Sequence, residues 1–93
     1  MNYFGTGRLG THQKVAYTGT AGTISNAVGT GTQKVRVVVT SAAYIAIGVS
    51  PTATTNDPYM AADSPEYFTI TSGEKVSAVQ VSGSGTLHVT EIV

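Results

Sequence analysis

Residues 34–40 read KVRVVVT, and the fold follows from this stretch. Side chains of a strand point alternately to its two faces, so Val35, Val37 and Val39 share one side while Arg36 and Val38 take the other. Such period-two alternation marks a half-buried strand; the apolar positions of an amphipathic helix would recur every three to four residues instead. After Ser41 and Ala42 comes AYIAIGV, residues 43–49, which sends Ile45, Ile47 and Val49 one way and Tyr44, Ala46 and Gly48 the other. Two strands joined by so short a link are expected to form a β-hairpin.

The same pattern continues toward the C-terminus. Residues 66–71 (EYFTIT) place Phe68 and Ile70 on an apolar face, and Ser72-Gly73 supplies a turn. In residues 74–82 (EKVSAVQVS) the alternation breaks. Val79 and Val81 share one face and Val76, Ala78 and Gln80 the other, so a β-bulge near Ser77-Ala78 is expected. Gly83-Ser84-Gly85 reads as a turn, and residues 86–93 (TLHVTEIV) as a closing strand with Leu87 and Val89 inward and His88 outward. Residues 37–47 and 79–89 resemble each other faintly, both as strand, small-residue turn and strand. Between the strands lies a long loop, residues 50–65, in which Pro51, Pro58 and Pro65 each remove a backbone donor. Loops of that length in small domains are often functional or interface-forming.

The first third differs. Residues 1–32 hold Gly5, Gly7, Gly10, Gly19, Gly22, Gly29 and Gly31, and are expected to be an arm with one strand near 14–18 and a weaker one near 23–28. The core is expected over residues 33–93. No helical period occurs anywhere. The expectation is all-β: a small antiparallel β-sandwich or jelly-roll-like barrel with an extended Gly-rich N-terminal arm.

Composition narrows the function. Five Lys and Arg balance five Asp and Glu, and charged residues make up 11% of the 93 residues, against about 25% in ordinary globular proteins. Sparse, balanced charge gives little repulsion between copies and little pull toward phosphate backbones. With no cysteine, disulfides and thiolate zinc sites are excluded. A domain this small then has oligomerisation as its remaining support. No basic-then-apolar leader stands at the start and no run approaches the length of a membrane span. The expectation is synthesis in a cytoplasm, without export by the general route and without a membrane partner.

Residues that could carry chemistry are few. His12 and His88 have no Cys, Asp or Glu at a ligand or triad spacing and read as exposed polar side chains. Asp57, Asp63 and Glu66 bracket the long loop at spacings that match no calcium loop. Gly5-Thr6-Gly7 and Gly29-Thr30-Gly31 lack the helix and the Gly-Lys-Ser/Thr that a phosphate loop requires. Lys14, Lys34, Arg36 and Lys75 look scattered, which argues against a nucleic-acid groove. Tyr59 and Tyr67 are the best pair for a glycan platform. No catalytic residue, cofactor or metal is expected.

One resemblance stands beside this reading. Residues 35–93 resemble small virion proteins of tailed bacteriophages: a Val-rich strand leading to Tyr44-Ile45-Ala46-Ile47-Gly48, then Pro51-Thr52-Ala53-Thr54, Pro65-Glu66-Tyr67-Phe68, Gly73-Glu74-Lys75-Val76, and Gly85-Thr86-Leu87-His88-Val89-Thr90-Glu91. The resemblance implies a capsid cement or decoration protein that is β-rich and trimeric, binds the major capsid protein and sits on the virion surface. It carries no catalytic residues. The interface would then use apolar side chains in segments expected to be exposed: Tyr3, Phe4, Leu9, Tyr17, Tyr59 and Met60. The alternative is a small β-sandwich binding module of a phage tail or of a host-glycan recognition apparatus.

Overall fold

The computed structural model describes residues 9–31 and 34–92, and these residues form eight strands and no helix. These are β1 (Leu9–Tyr17), β2 (Gly22–Thr23), β3 (Lys34–Val39), β4 (Ala43–Gly48), β5 (Tyr59–Met60), β6 (Glu66–Thr69), β7 (Lys75–Gln80) and β8 (Gly85–Ile92). They build two four-stranded antiparallel sheets, sheet 1 in the order β1-β8-β3-β6 and sheet 2 in the order β2-β7-β4-β5. The ladders are nested: β1 pairs with β8, β2 with β7, β3 with β6 and β4 with β5. One antiparallel ribbon is thus folded over on itself and sealed by the β3–β8 and β4–β7 ladders. That is jelly-roll wrapping of a β-sandwich.

The core lies between the sheets. Val35, Val37, Val39, Leu87 and Val89 of sheet 1 meet Ala43, Ile45, Met60, Val76 and Ala78 of sheet 2, all of them buried. The segment expected as an arm contributes to it. β1 runs nine residues along β8, and Tyr17, Ile24 and Val28 are core residues. Tyr3 and Phe4 lie outside the described residues.

Three local expectations are corrected. Residues 34–40 and 43–49 do not pair as a hairpin; β3 and β4 belong to different sheets. A two-residue hairpin needs positive φ in its turn, and among the described residues only Gly31, Asp63 and Gly73 have it. Residues 40–42 therefore form an arch, which stacks the apolar faces of the two strands on one another. Gly83-Ser84-Gly85 is likewise an arch, from β7 to β8. The bulge expected at Ser77-Ala78 is absent, since β7 pairs with β4 in unbroken register. Val76 and Ala78 face the core, while Ser77 on the opposite face is covered by the loop after β4: Ser77 Oγ accepts from the Ala53 amide at 3.0 Å, and Thr23 Oγ1 lies 3.1 Å from it. A bulge does occur elsewhere, in β1 between Leu9 and His12.

The arches meet at one end around Tyr17. Its hydroxyl donates to the Ser41 carbonyl and accepts from the Ser41 amide at 3.2 Å. The neighbouring arch adds Thr40 N–H to the Thr86 carbonyl at 3.1 Å, Thr86 N–H to Thr40 Oγ1 at 2.9 Å and Ser41 Oγ to the Ser84 carbonyl at 3.0 Å. Gly85, opposite Tyr17 in the ladder, leaves the space: a Cβ there would stand 2.6 Å from the Tyr17 oxygen. Burial holds the Tyr17 phenol above its ordinary pKa, opposed by the Ser41 hydrogen bond and reinforced by Asp63. The phenol therefore keeps the proton it donates. Tyr17→Phe, which strands both Ser41 backbone groups, is expected to lower stability in urea unfolding by about 1–3 kcal/mol. Gly22→Ala should cost more, because its Cβ would overlap the Ala16 carbonyl, which is backbone and cannot swing aside.

Candidate functional site: a basic sheet face and an open edge

The register that buries the valines of β3 turns its other side outward, and with it every outward residue of sheet 1. Three rows of this face carry its charged and imidazole side chains. Lys14, His88 and Val38 form the first; His12, Thr90, Arg36 and Tyr67 the second; Leu9, Ile92, Lys34 and Thr69 the third. At ordinary strand and residue spacings the five basic or imidazole side chains fall within roughly 14 Å along the strands by 10 Å across them. None of the five Asp and Glu residues stands in these three rows. Glu66 and Glu91 pair with Val37 and Val35 and so share their inward side. Asp57 accepts from the Thr54 amide at 2.7 Å and Glu74 from the Thr71 amide at 2.8 Å, each stapling a turn, while Asp63 sits in the β5–β6 loop with φ 56°. A chain of zero net charge thus carries a face of one sign.

The centre of the face is a histidine pair. His12 and His88 stack with ring centroids 5.4 Å apart and planes 23° from parallel. His12 Nδ1 is 2.9 Å from Thr90 Oγ1, and His12 Nε2 is 3.4 Å from His88 Nδ1. Desolvation by burial lowers the His88 pKa below its ordinary value, and the charges of His12, Lys14 and Arg36 lower it further. Sequence separation of 76 residues hid this pair; only the β1–β8 register brings it together. The basic residues that looked scattered are gathered by the same register. Among the described residues no group of three or more His, Cys, Asp or Glu could hold a metal ion.

The second feature is the open edge where β5 and β6 lie. β5 has two residues and pairs only with Ala43 and Tyr44. Beyond them the Ile45 amide donates to the Pro58 carbonyl at 2.9 Å, and no further strand flanks β4 on that side among the described residues. This leaves a cleft of about 370 Å³ floored by Ile45, Ile47, Met60 and Phe68, with Asp57, Tyr59 and Glu66 also lining it.

The residues expected at an interface separate accordingly. Leu9 and Tyr59 are exposed. Tyr17 and Met60 are each only 1% exposed, which corrects their expected availability: Tyr17 fills the space opposite Gly85, and Met60 faces inward because its ladder partner is the core residue Ala43. Tyr59 and Tyr67 make no joint platform. Tyr67 pairs with Arg36 on the outside of sheet 1, whereas Tyr59 packs edge-on against Tyr44 on the outside of sheet 2, with centroids 6.3 Å apart. Comparison with family models, with curated proteins and with solved structures returns no match.

The His88 shift fixes a pH dependence. Unfolded, the imidazole takes a proton near its ordinary value of about 6.5; folded, it resists until lower pH. Stability contributed by neutral His88 is therefore complete above that value and is lost as pH falls below it. Thermal melts between pH 7.5 and 5.5, above the main range of carboxylate titration, should show a decline that His88→Gln flattens. Parallel declines for the two proteins would show that His88 is not the source.

Proposed function

We propose that this chain is a non-catalytic structural protein of a phage head, a cement or decoration protein that lays the outer face of sheet 1 on an acidic patch of the major capsid protein. The observation that carries this reading is the segregation of sign: Lys14, Lys34, Arg36, His12 and His88 share three rows of one sheet face in which no Asp or Glu stands. Such a face speeds and orients encounter with an acidic surface and repels the wrong one. Its individual contacts are solvent-exposed and weak. Many copies on a symmetric shell, held as a small homo-oligomer, give those contacts avidity that one copy lacks. The resemblance of residues 35–93 to small phage virion proteins favours the same assignment, and jelly-roll sandwiches are a recurrent architecture of viral shells.

The glycan-binding alternative loses its main motivation, since Tyr59 and Tyr67 lie on opposite outer faces. A nucleic-acid strand is the other polyanion this face attracts. Single-strand binders, however, combine a basic groove with several stacking aromatics, and among the described residues Tyr67 is the one aromatic ring on this face apart from the imidazoles, at its edge strand.

The test is co-sedimentation with heads produced without this chain. Lys14→Glu with Arg36→Glu should weaken attachment about tenfold or more, the equivalent of roughly 1.4 kcal/mol, while melting within a few degrees of the parent. Attachment should also fall with added salt. Equal sedimentation of parent and variant would remove the face from the interface. Preference for an oligonucleotide over heads would replace the proposal with nucleic-acid binding.

A further inference from the structure

The open edge between β5 and β6 makes a second surface, independent of the basic face. We infer that its cleft is the acceptor for residues 1–8 of a second copy of this chain, with Tyr3 and Phe4 entering between the sheets and Arg8 meeting the acidic rim.

The cleft has the features of a strand- or peptide-accepting site. β6 is an edge strand of sheet 1, so one side of its backbone has no ladder partner among the described residues. Bare edges are templates for an added strand. The floor is four apolar side chains, Ile45, Ile47, Met60 and Phe68, and two of the remaining lining residues, Asp57 and Glu66, are acidic. Its volume of about 370 Å³ falls at the small end of the roughly 300–1,000 Å³ of ligand clefts, a size for a few side chains rather than a folded partner. Residues 1–8 read MNYFGTGR. They offer two adjacent aromatic residues for the floor, a cation for the rim and two glycines for a close backbone path. Sign and polarity are complementary at both ends.

Reach assigns the segment to a neighbour. Leu9 begins β1, at the opposite side of sheet 1 from the cleft, in the row that runs through Ile92 and Lys34 to Thr69. Three inter-strand steps separate Leu9 from Thr69, about 14 Å. The five residues from Phe4 to Leu9 span at most about 17 Å when fully extended. Within one copy the segment would also have to pass residues 24–31, which close this end through the Val28 amide bonded to the Glu74 carbonyl at 2.9 Å and the Gly73 amide bonded to the Val28 carbonyl at 3.0 Å. Almost no slack remains for that detour and the turn inward. A neighbouring copy approaches the cleft from outside without it. Exchange of this kind closes into a ring when each copy donates to the next.

Because the chain has no cysteine, introduced thiols are the only ones present. Phe4→Cys and Glu66→Cys would be made as separate single variants, mixed, and oxidised under mild conditions at micromolar concentration. The expected product is a disulfide joining the two variants, identified by mass spectrometry of the linked peptides and suppressed by excess MNYFGTGR peptide. Only like-with-like products, or none, would overturn the inference. So would a disulfide formed inside one chain in the double variant at the expense of the cross-linked form. Phe4→Ala should lower the mass seen in light scattering after size exclusion. An unchanged mass would count against the inference as decisively. None of these outcomes depends on whether heads are bound.

Discussion

The register of β3 is the constraint from which both the core and the candidate site follow. Val35, Val37 and Val39 are fully excluded from solvent between the sheets. Because the side-chain period of a strand is two, the same register sends Lys34 and Arg36 outward. β8 is locked to β3 over six residue pairs and β1 to β8 over seven, so the choice propagates across the sheet. A slip by one residue would expose three valines and bury two cations. Burial of a Val is worth about 1.5–3 kcal/mol, and burying an unpaired charge costs several more. The pattern that makes the sandwich stable is therefore what makes its outer face basic.

Much of the fold was legible because alternation is a local signal. The strands around Val35–Val39, Ile45, Phe68 and Leu87–Val89 all appear where the sequence places them. Their connections were not legible. Ser41-Ala42 reads as a hairpin turn and Gly83-Ser84-Gly85 as a turn, and neither reads as an arch because short, small-residue links are common to hairpins and arches. The distinction lies in backbone φ and in long-range partners such as Tyr17 and Thr86, which no local window contains. β5 escaped notice for a similar reason: two residues between Pro58 and a polar loop carry no period, and Met60 is inward only because Ala43 is.

The site was less legible than the fold. A basic patch made of Lys14, Lys34 and Arg36 with His12 and His88 has no signature along the chain, since its members come from three strands and its unity depends on ladder order. Once β1, β8 and β3 are known to be adjacent, parity alone predicts the patch. The sequence signal existed in a weaker form: Lys14, Lys34, Arg36 and His88 each sit at an outward position of an alternating strand, whereas His12 lay in the segment read as an arm. Conversely, apolar residues in loop-like segments were poor guides to an interface. Tyr17 and Met60 are core, because in a domain this small even the first strand and a two-residue edge strand are needed to close the interior.

The two surfaces also differ in how they tolerate change, and this bears on how they would be used. The basic face is carried by outward positions of β1, β8 and β3, so its side chains can vary in charge without disturbing the core beneath. The open edge is different, since Ile45, Ile47 and Phe68 belong both to the cleft and to the margin of the core. An apolar margin left uncovered is a standing liability for aggregation. A short β5 that fails to cover β4 is hard to reconcile with a solitary small domain of low charge and no disulfide. It is what a fold requires if the covering element comes from outside, which is the role the exchange proposed above gives to a segment of a sibling copy.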